Sequence, residues 1–144
     1  MNPKRIFLAL VAAFIVISAT DYLIHEVWLK STYAMSATLW RTPKDMEAHM
    51  SGIFIGQFLV ALAFTMLWVR IALGGAGIQC AIALGVFMGL FYSGGAIIQH
   101  SVQPLPAGLL AKWIIAGILQ SVLVGIVLFL VHKPAKGCPD IRGK

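Results

Sequence analysis

Ile6-Phe-Leu-Ala-Leu-Val-Ala-Ala-Phe-Ile-Val-Ile-Ser-Ala-Thr-Asp-Tyr-Leu-Ile-His-Glu-Val-Trp-Leu29 is one apolar run that changes character near its end. An α-helix rises about 1.5 Å per residue, so a run of this length crosses a hydrocarbon core of about 30 Å with some tilt. Its last turns carry Asp21, His25 and Glu26. Ionisable side chains that deep in an apolar segment are costly and mark a functional site by default. The competing reading is a secretory leader, with Lys4 and Arg5 as its basic head, Ile6–Ile17 as its apolar part and Ala19 as the cleavage point. The apolar character continues past Ala19 through Tyr22-Leu-Ile, where a cleavable segment would already have stopped. The run is therefore read as a membrane span.

Three more runs follow. The second covers 51–71, with Gln57 and Thr65 inside it and Arg70 near its end. The third covers 78–100 and ends in His100; the fourth covers 109–131 and is followed by His132 and Lys133. Leu73-Gly-Gly-Ala-Gly77 is a tight turn, and Ser101-Val-Gln-Pro-Leu-Pro106 is a turn whose prolines cannot continue a helix. The chain is 60% hydrophobic and 11% charged, against roughly 25% charged in soluble domains. That composition belongs in lipid. The net charge of +6 is accordingly no nucleic-acid signal, because the basic residues flank apolar runs instead of forming a stripe.

The expected fold is an all-α membrane protein, a four-transmembrane-helix bundle in one domain, with a basic tail over 132–144. The connection over 30–50 is expected at the membrane interface, with Trp28, Tyr33 and Trp40 as anchors at headgroup depth. Within it, Thr42-Pro-Lys-Asp-Met-Glu47 reads as a helix start: Thr42 caps, Pro43 takes the first helical position and the acids fill the first turn. Lys4, Arg5, Arg70, Lys133, Lys136, Arg142 and Lys144 fall on one side, and Lys30, Arg41, Lys44 and Lys112 on the other. The heavier basic load places both termini in the cytoplasm of a bacterial inner membrane and the Asp21–His25 end on the outer face.

Small residues recur at helical spacing in the later spans: Ala81, Gly85, Gly89 and Ser93 in the third, Gly117, Ser121 and Gly125 in the fourth. Lipid gives helices no hydrophobic reason to associate, so close approach along such lines is expected to supply the contact. Ala9 and Ala13 suggest the same for the first span, Gly52 and Gly56 for the second. Laying Ser18–Val27 on Ser93–Val102 aligns Ser, His and Val, and laying Gln57 on Gln120 also aligns Arg70 with Lys133. This suggests a parallel two-plus-two repeat. Against it, apolar sequences align easily.

Asp21 and His25 share a helix face at four residues apart. Glu26 is one step round, His49 opens the second span and His100 closes the third, all at the same membrane level. Imidazole and carboxylate suit a transition metal such as Zn, Cu, Fe or Ni, and His25 with His100 could hold a haem across the bundle. An Asp–His pair would also titrate as a unit, as a proton relay needs. The plainer reading is structural. Histidines at span ends sit at the interface, and Asp21 pairs with His25 or bonds Tyr92 or a glutamine as interhelical glue.

Other chemistries lack their motifs. Cys80 and Cys138 form no Cys-x-x-Cys, so a disulfide framework and a zinc ribbon are unsupported; Cys80 reads as a small core residue. Ser93-Gly-Gly belongs to a packing line, and Gly74-Gly-Ala-Gly is a turn without the Lys-Ser/Thr of a phosphate loop.

Asp21-Tyr-Leu-Ile-His-Glu-Val-Trp28, with Tyr33-Ala-Met-Ser-Ala-Thr-Leu-Trp-Arg41 after it, resembles small bacterial four-span inner-membrane proteins of unknown function, over roughly residues 6–72. The resemblance implies an inner-membrane location and no activity, and carries over no site residue. The leading functional expectation is a non-catalytic accessory or scaffold subunit, with the bilayer and other membrane subunits or further copies of the chain as partners. The alternative is a small metal-ion- or proton-handling protein using Asp21, His25, His49 and His100. A membrane-embedded enzyme would leave no local signature here.

Overall fold

The structure, a computed structural model, describes residues 2–133. Helices joined by short turns make up those residues, with no strand among them. α1 (Pro3–Asp21) starts at Asn2, whose side chain accepts the Lys4 N–H. The helix does not stop at Asp21 but widens into a π-helical segment (Tyr22–Trp28). Two short elements follow, α2 (Lys30–Ala34) and a 3₁₀ turn (Ala37–Leu39), and then α3 (Pro43–Ala48). α4 (Met50–Ala72), α5 (Ile78–Val102) and α6 (Ala107–Val131) complete the chain. Pro3–Trp28 as one helix, α4, α5 and α6 are each long and apolar enough to cross a membrane. This is a multi-pass membrane protein with an all-α four-helix bundle.

Local chemistry sets the boundaries. Thr42 Oγ1 accepts the Asp45 N–H at 3.3 Å and Pro43 opens α3, as the sequence signals. His49, with φ −106° and ψ 4°, separates α3 from α4, so the short helix does not run into the span. The α4–α5 turn holds Gly75 at φ 78°, a left-handed conformation that glycine adopts without steric cost. The basic tail expected over 132–144 keeps only His132 and Lys133 among the described residues; the rest of it, with Cys138, lies outside them.

α1 packs against both α4 and α6, and α5 packs along α6. The core joins Ala9, Ala13 and Ile17 of α1 to Phe64, Trp68 and Ala72 of α4 and to Val124 and Leu128 of α6. The Trp68 indole donates to the His132 carbonyl at 3.0 Å, tying the C-terminal ends of α4 and α6 together. The α5–α6 contact is the closest in the molecule. A Cβ at Gly85 would lie 2.5 Å from Val122 Cα, and one at Gly89 would lie 2.7 Å from Ile118 Cα. At Gly125 it would collide with the Ala81 carbonyl. Ser93 and Ser121 are buried, and the Ser93 hydroxyl donates back to the Gly89 carbonyl at 2.8 Å.

Several expectations fail here. Gly117 is not part of the α5–α6 contact: nothing lies within 4 Å of the position its Cβ would take. Gly52 and Gly56 are equally open, because α4 packs through Ala61, Thr65, Trp68 and Ala72 instead. Cys80 is exposed, lying beside the packing line through Ala81 and not on it. Finally, α4 and α5 scarcely meet, whereas α1 and α6 pack closely. A two-fold repeat would make those two pairs equivalent, so the bundle departs from two-plus-two symmetry.

Candidate functional site

Asp21 is the last α-helical residue of the first span, about two turns, or ~10 Å, inside the end at Trp28. A carboxylate at the centre of a spanning helix costs about 2.5–3.5 kcal/mol on insertion scales, and more without partners. Here the partners are two amides from two other helices. Gln57 of α4 donates to Asp21 Oδ2 at 2.7 Å, and Gln120 of α6 donates to Asp21 Oδ1 at 2.7 Å. Each glutamine is itself held. The Gln57 carbonyl accepts the Ser18 hydroxyl at 2.9 Å. The Gln120 amide also reaches Thr20 Oγ1 at 2.7 Å and the Ile17 carbonyl at 3.3 Å. Thr20 in turn donates to the Val16 carbonyl at 2.6 Å.

The carboxylate therefore receives a neutral donor on each oxygen. No cation forms an ion pair with it among the described residues; the ion pairs found there join Asp45 to Arg41 and His49. A carboxylate accepts about four hydrogen bonds, so roughly half of that capacity is free.

The free side faces a cleft. Because α4 and α5 stand apart, a cavity of about 980 Å³ opens between them, with α1 and α6 as its floor. Asp21, Gln57 and Gln120 line its polar end, and Phe64, Phe91, Tyr92 and Trp113 are among its walls. Gly56, Gly94, Gly95 and Gly117 also line it, and a Cβ at any of the four would meet nothing within 4 Å. Glycine in a helix interior costs about 0.5–1 kcal/mol relative to alanine in general. Helix contact explains it at 85, 89 and 125, and width of the cleft explains it at these four.

Trp113, on the cleft wall, belongs to a cluster of aromatic rings at the α2 end of the bundle. Tyr33 OH accepts the Trp113 indole N–H at 2.8 Å and lies 2.6 Å from His25 Nδ1. With its oxygen already accepting from Trp113, the phenol can donate its own proton to His25. The His25 ring stacks on Tyr33 at 5.9 Å. Trp40 meets both Tyr33 and Trp113 edge-on and donates to Ser36 Oγ at 3.0 Å. Lys112 Nζ donates to buried Thr32 Oγ1 at 2.9 Å. The connection after the first span is thus folded down onto the first turns of α6. Burial pushes the Tyr33 phenol above its usual range, although the Trp113 hydrogen bond opposes the shift.

The sequence-selected residues separate into three places. Asp21 turns inward to the glutamines, and no hydrogen bond joins it to His25. His25 goes to Tyr33. His49 is half exposed at the junction of α3 and α4, with Nδ1 2.8 Å from the Asp45 carbonyl and 3.5 Å from Asp45 Oδ1. Asp45 itself is held below the usual carboxylate range by its hydrogen bond from Arg41 at 2.7 Å. Glu26 is exposed, and His100 ends α5 without joining the other candidates. Nowhere among the described residues do three His, Cys, Asp or Glu side chains come together to hold a metal. Among the described residues these positions therefore do not assemble the five-residue metal cluster. Of the three anchors, Trp28 faces outward, while Tyr33 and Trp40 turn onto Trp113.

Gln57, Gln120 and Trp113 complete the site. The sequence carried one signal for two of them: Gln57 and Gln120 are polar residues inside spans and align with one another. No family model, curated protein or solved structure matches the chain.

Proposed function

We propose that this chain is a non-catalytic binding protein of the bacterial inner membrane, with both termini cytoplasmic, that takes a hydrophobic molecule laterally from the bilayer into the cleft between α4 and α5. The carrying observation is that, among the described residues, neighbouring helices pack closely except α4 and α5, and that polar side chains of α1, α4 and α6 converge at that opening. The volume of about 980 Å³ lies at the upper end of small-molecule sites, roughly 300–1,000 Å³. A spanning helix is about 10 Å wide and ~30 Å long and displaces roughly 2,400 Å³, so a small molecule fits this opening better than a partner helix does.

The test is extraction of the protein from its native membrane into nanodiscs, followed by mass spectrometry of what remains bound. A stoichiometric small molecule should accompany the wild type and be absent from Gly95→Leu, whose side chain fills the opening. Identical extracts from both, containing bulk lipid alone, would sink the reading.

The accessory-subunit reading is supported by a different feature. α2 and the 3₁₀ turn form a compact ledge on the outer end of α6, and Met35 stands 81% exposed on it. A stoichiometric protein partner that survives Gly95→Leu but is lost on Met35→Lys would favour that reading.

A further inference from the structure

The proposed binding role leaves open what the cleft holds, and the inference here rests on that role. We infer that the occupant is an amphiphile with a protonated amine or quaternary ammonium head, seated with its cation on Asp21 and its apolar body between α4 and α5.

Three observations converge. First, Asp21 is an acceptor with unfilled capacity at the floor of an otherwise apolar opening, and its two partners are neutral amides. A neutral chain in the cleft would leave those lone pairs unmatched in a low-dielectric setting, and an anion would be repelled. A cation supplies both the missing charge and the missing donors. Second, the walls of the cavity that Asp21 lines carry Phe91, Tyr92 and Trp113. Aromatic faces attract ammonium groups through the ring quadrupole, most strongly where water is excluded. Third, the chain's own cations are committed elsewhere or distant: Lys112 bonds Thr32 and Arg41 bonds Asp45. No basic side chain of the described residues lines the cleft to compete for Asp21.

The apolar half of the ligand has its own place. Leu90, Phe91 and Ile98 of α5 and Ile53 of α4 flank the opening, and Gly94 and Gly95 leave room beside them. An alkyl or aryl body would replace lipid along that wall while its head reached inward to Asp21.

The test uses the full-length protein in phosphatidylcholine nanodiscs at pH 7, titrated with radiolabelled decylamine and separately with radiolabelled decanol. The two share a chain length and differ in head charge. Decylamine should bind saturably at one per chain and at least tenfold more tightly than decanol. Asp21→Asn, which keeps the side-chain size and an acceptor for the glutamines, should weaken decylamine binding at least tenfold. Gly95→Leu should abolish it without touching Asp21. Equal binding of decylamine and decanol, or unchanged decylamine binding in Asp21→Asn, overturns the cationic ligand and leaves the cleft as a binding site. Decylamine binding that survives Gly95→Leu removes the cleft itself. No saturable binding of either probe overturns the inference, and the native extract then decides the broader role.

Discussion

Gln57 and Gln120 donate to the two oxygens of one carboxylate, Asp21, from two different helices. They are also the pair that aligns when the second span is laid on the fourth. This triangle fixes the register of α1 against α4 and α6 at once. It also holds a charge-bearing group at a defined depth.

Removing the acceptor should therefore cost more than removing either donor. Asp21→Ala leaves two amide groups without their partner, and an unsatisfied buried polar group costs about 1–3 kcal/mol. Interhelical hydrogen bonds in membranes average about 0.6 kcal/mol, so Gln57→Ala and Gln120→Ala should each cost less than Asp21→Ala. Because the two glutamines share an acceptor, their double variant should deviate from the sum of the singles. Unfolding titrations in mixed detergent would show this. Strict additivity, or an Asp21→Ala variant as stable as wild type, would disprove the triangle.

The glycines should divide into two classes. Gly85→Ala places a Cβ against the Val122 backbone, where neither helix can yield without separating; overpacking of this kind costs about 1–3 kcal/mol. Gly94→Ala and Gly95→Ala meet open space and should be neutral or stabilising by up to about 1 kcal/mol. Thermal unfolding of the three variants side by side tests the contrast. Equal losses at all three positions would mean that α4 and α5 close on each other in the membrane.

Tyr33 should titrate late. Burial raises its phenol above the ordinary value near 10, so the folded state holds this proton more tightly than the unfolded chain does. The linked stability is complete below pH 10 and is lost as pH rises through the folded value. Phenolate absorbance at 295 nm, taken as the difference between wild type and Tyr33→Phe, should show one group titrating above pH 10. A difference curve centred at or below 10 would place Tyr33 in water and remove the aromatic closure over α6.

The spans were legible because each is a long apolar run, and lipid allows such a run only as a helix with its backbone groups satisfied internally. The cap at Thr42 was legible too, because capping depends on residues three apart in sequence. The Gly85, Gly89 and Gly125 contact followed from spacing, since small residues four apart fall on one helix face. The same rule misplaced Gly117 and Gly56. Spacing shows which residues share a face and not which neighbour that face meets.

Composition and periodicity specify a four-span membrane protein, its helix boundaries to within a few residues, and Asp21 as the costly group that had to be satisfied. How it is satisfied came from the packing of the helices. It brought Gln57 and Gln120 to Asp21 across separations of 36 and 99 residues, turned His25 away to Tyr33, and left α4 and α5 apart. The physical reason is that helix formation in lipid is fixed by local composition, whereas the pairing of finished helices depends on small differences in packing and hydrogen bonding between distant faces.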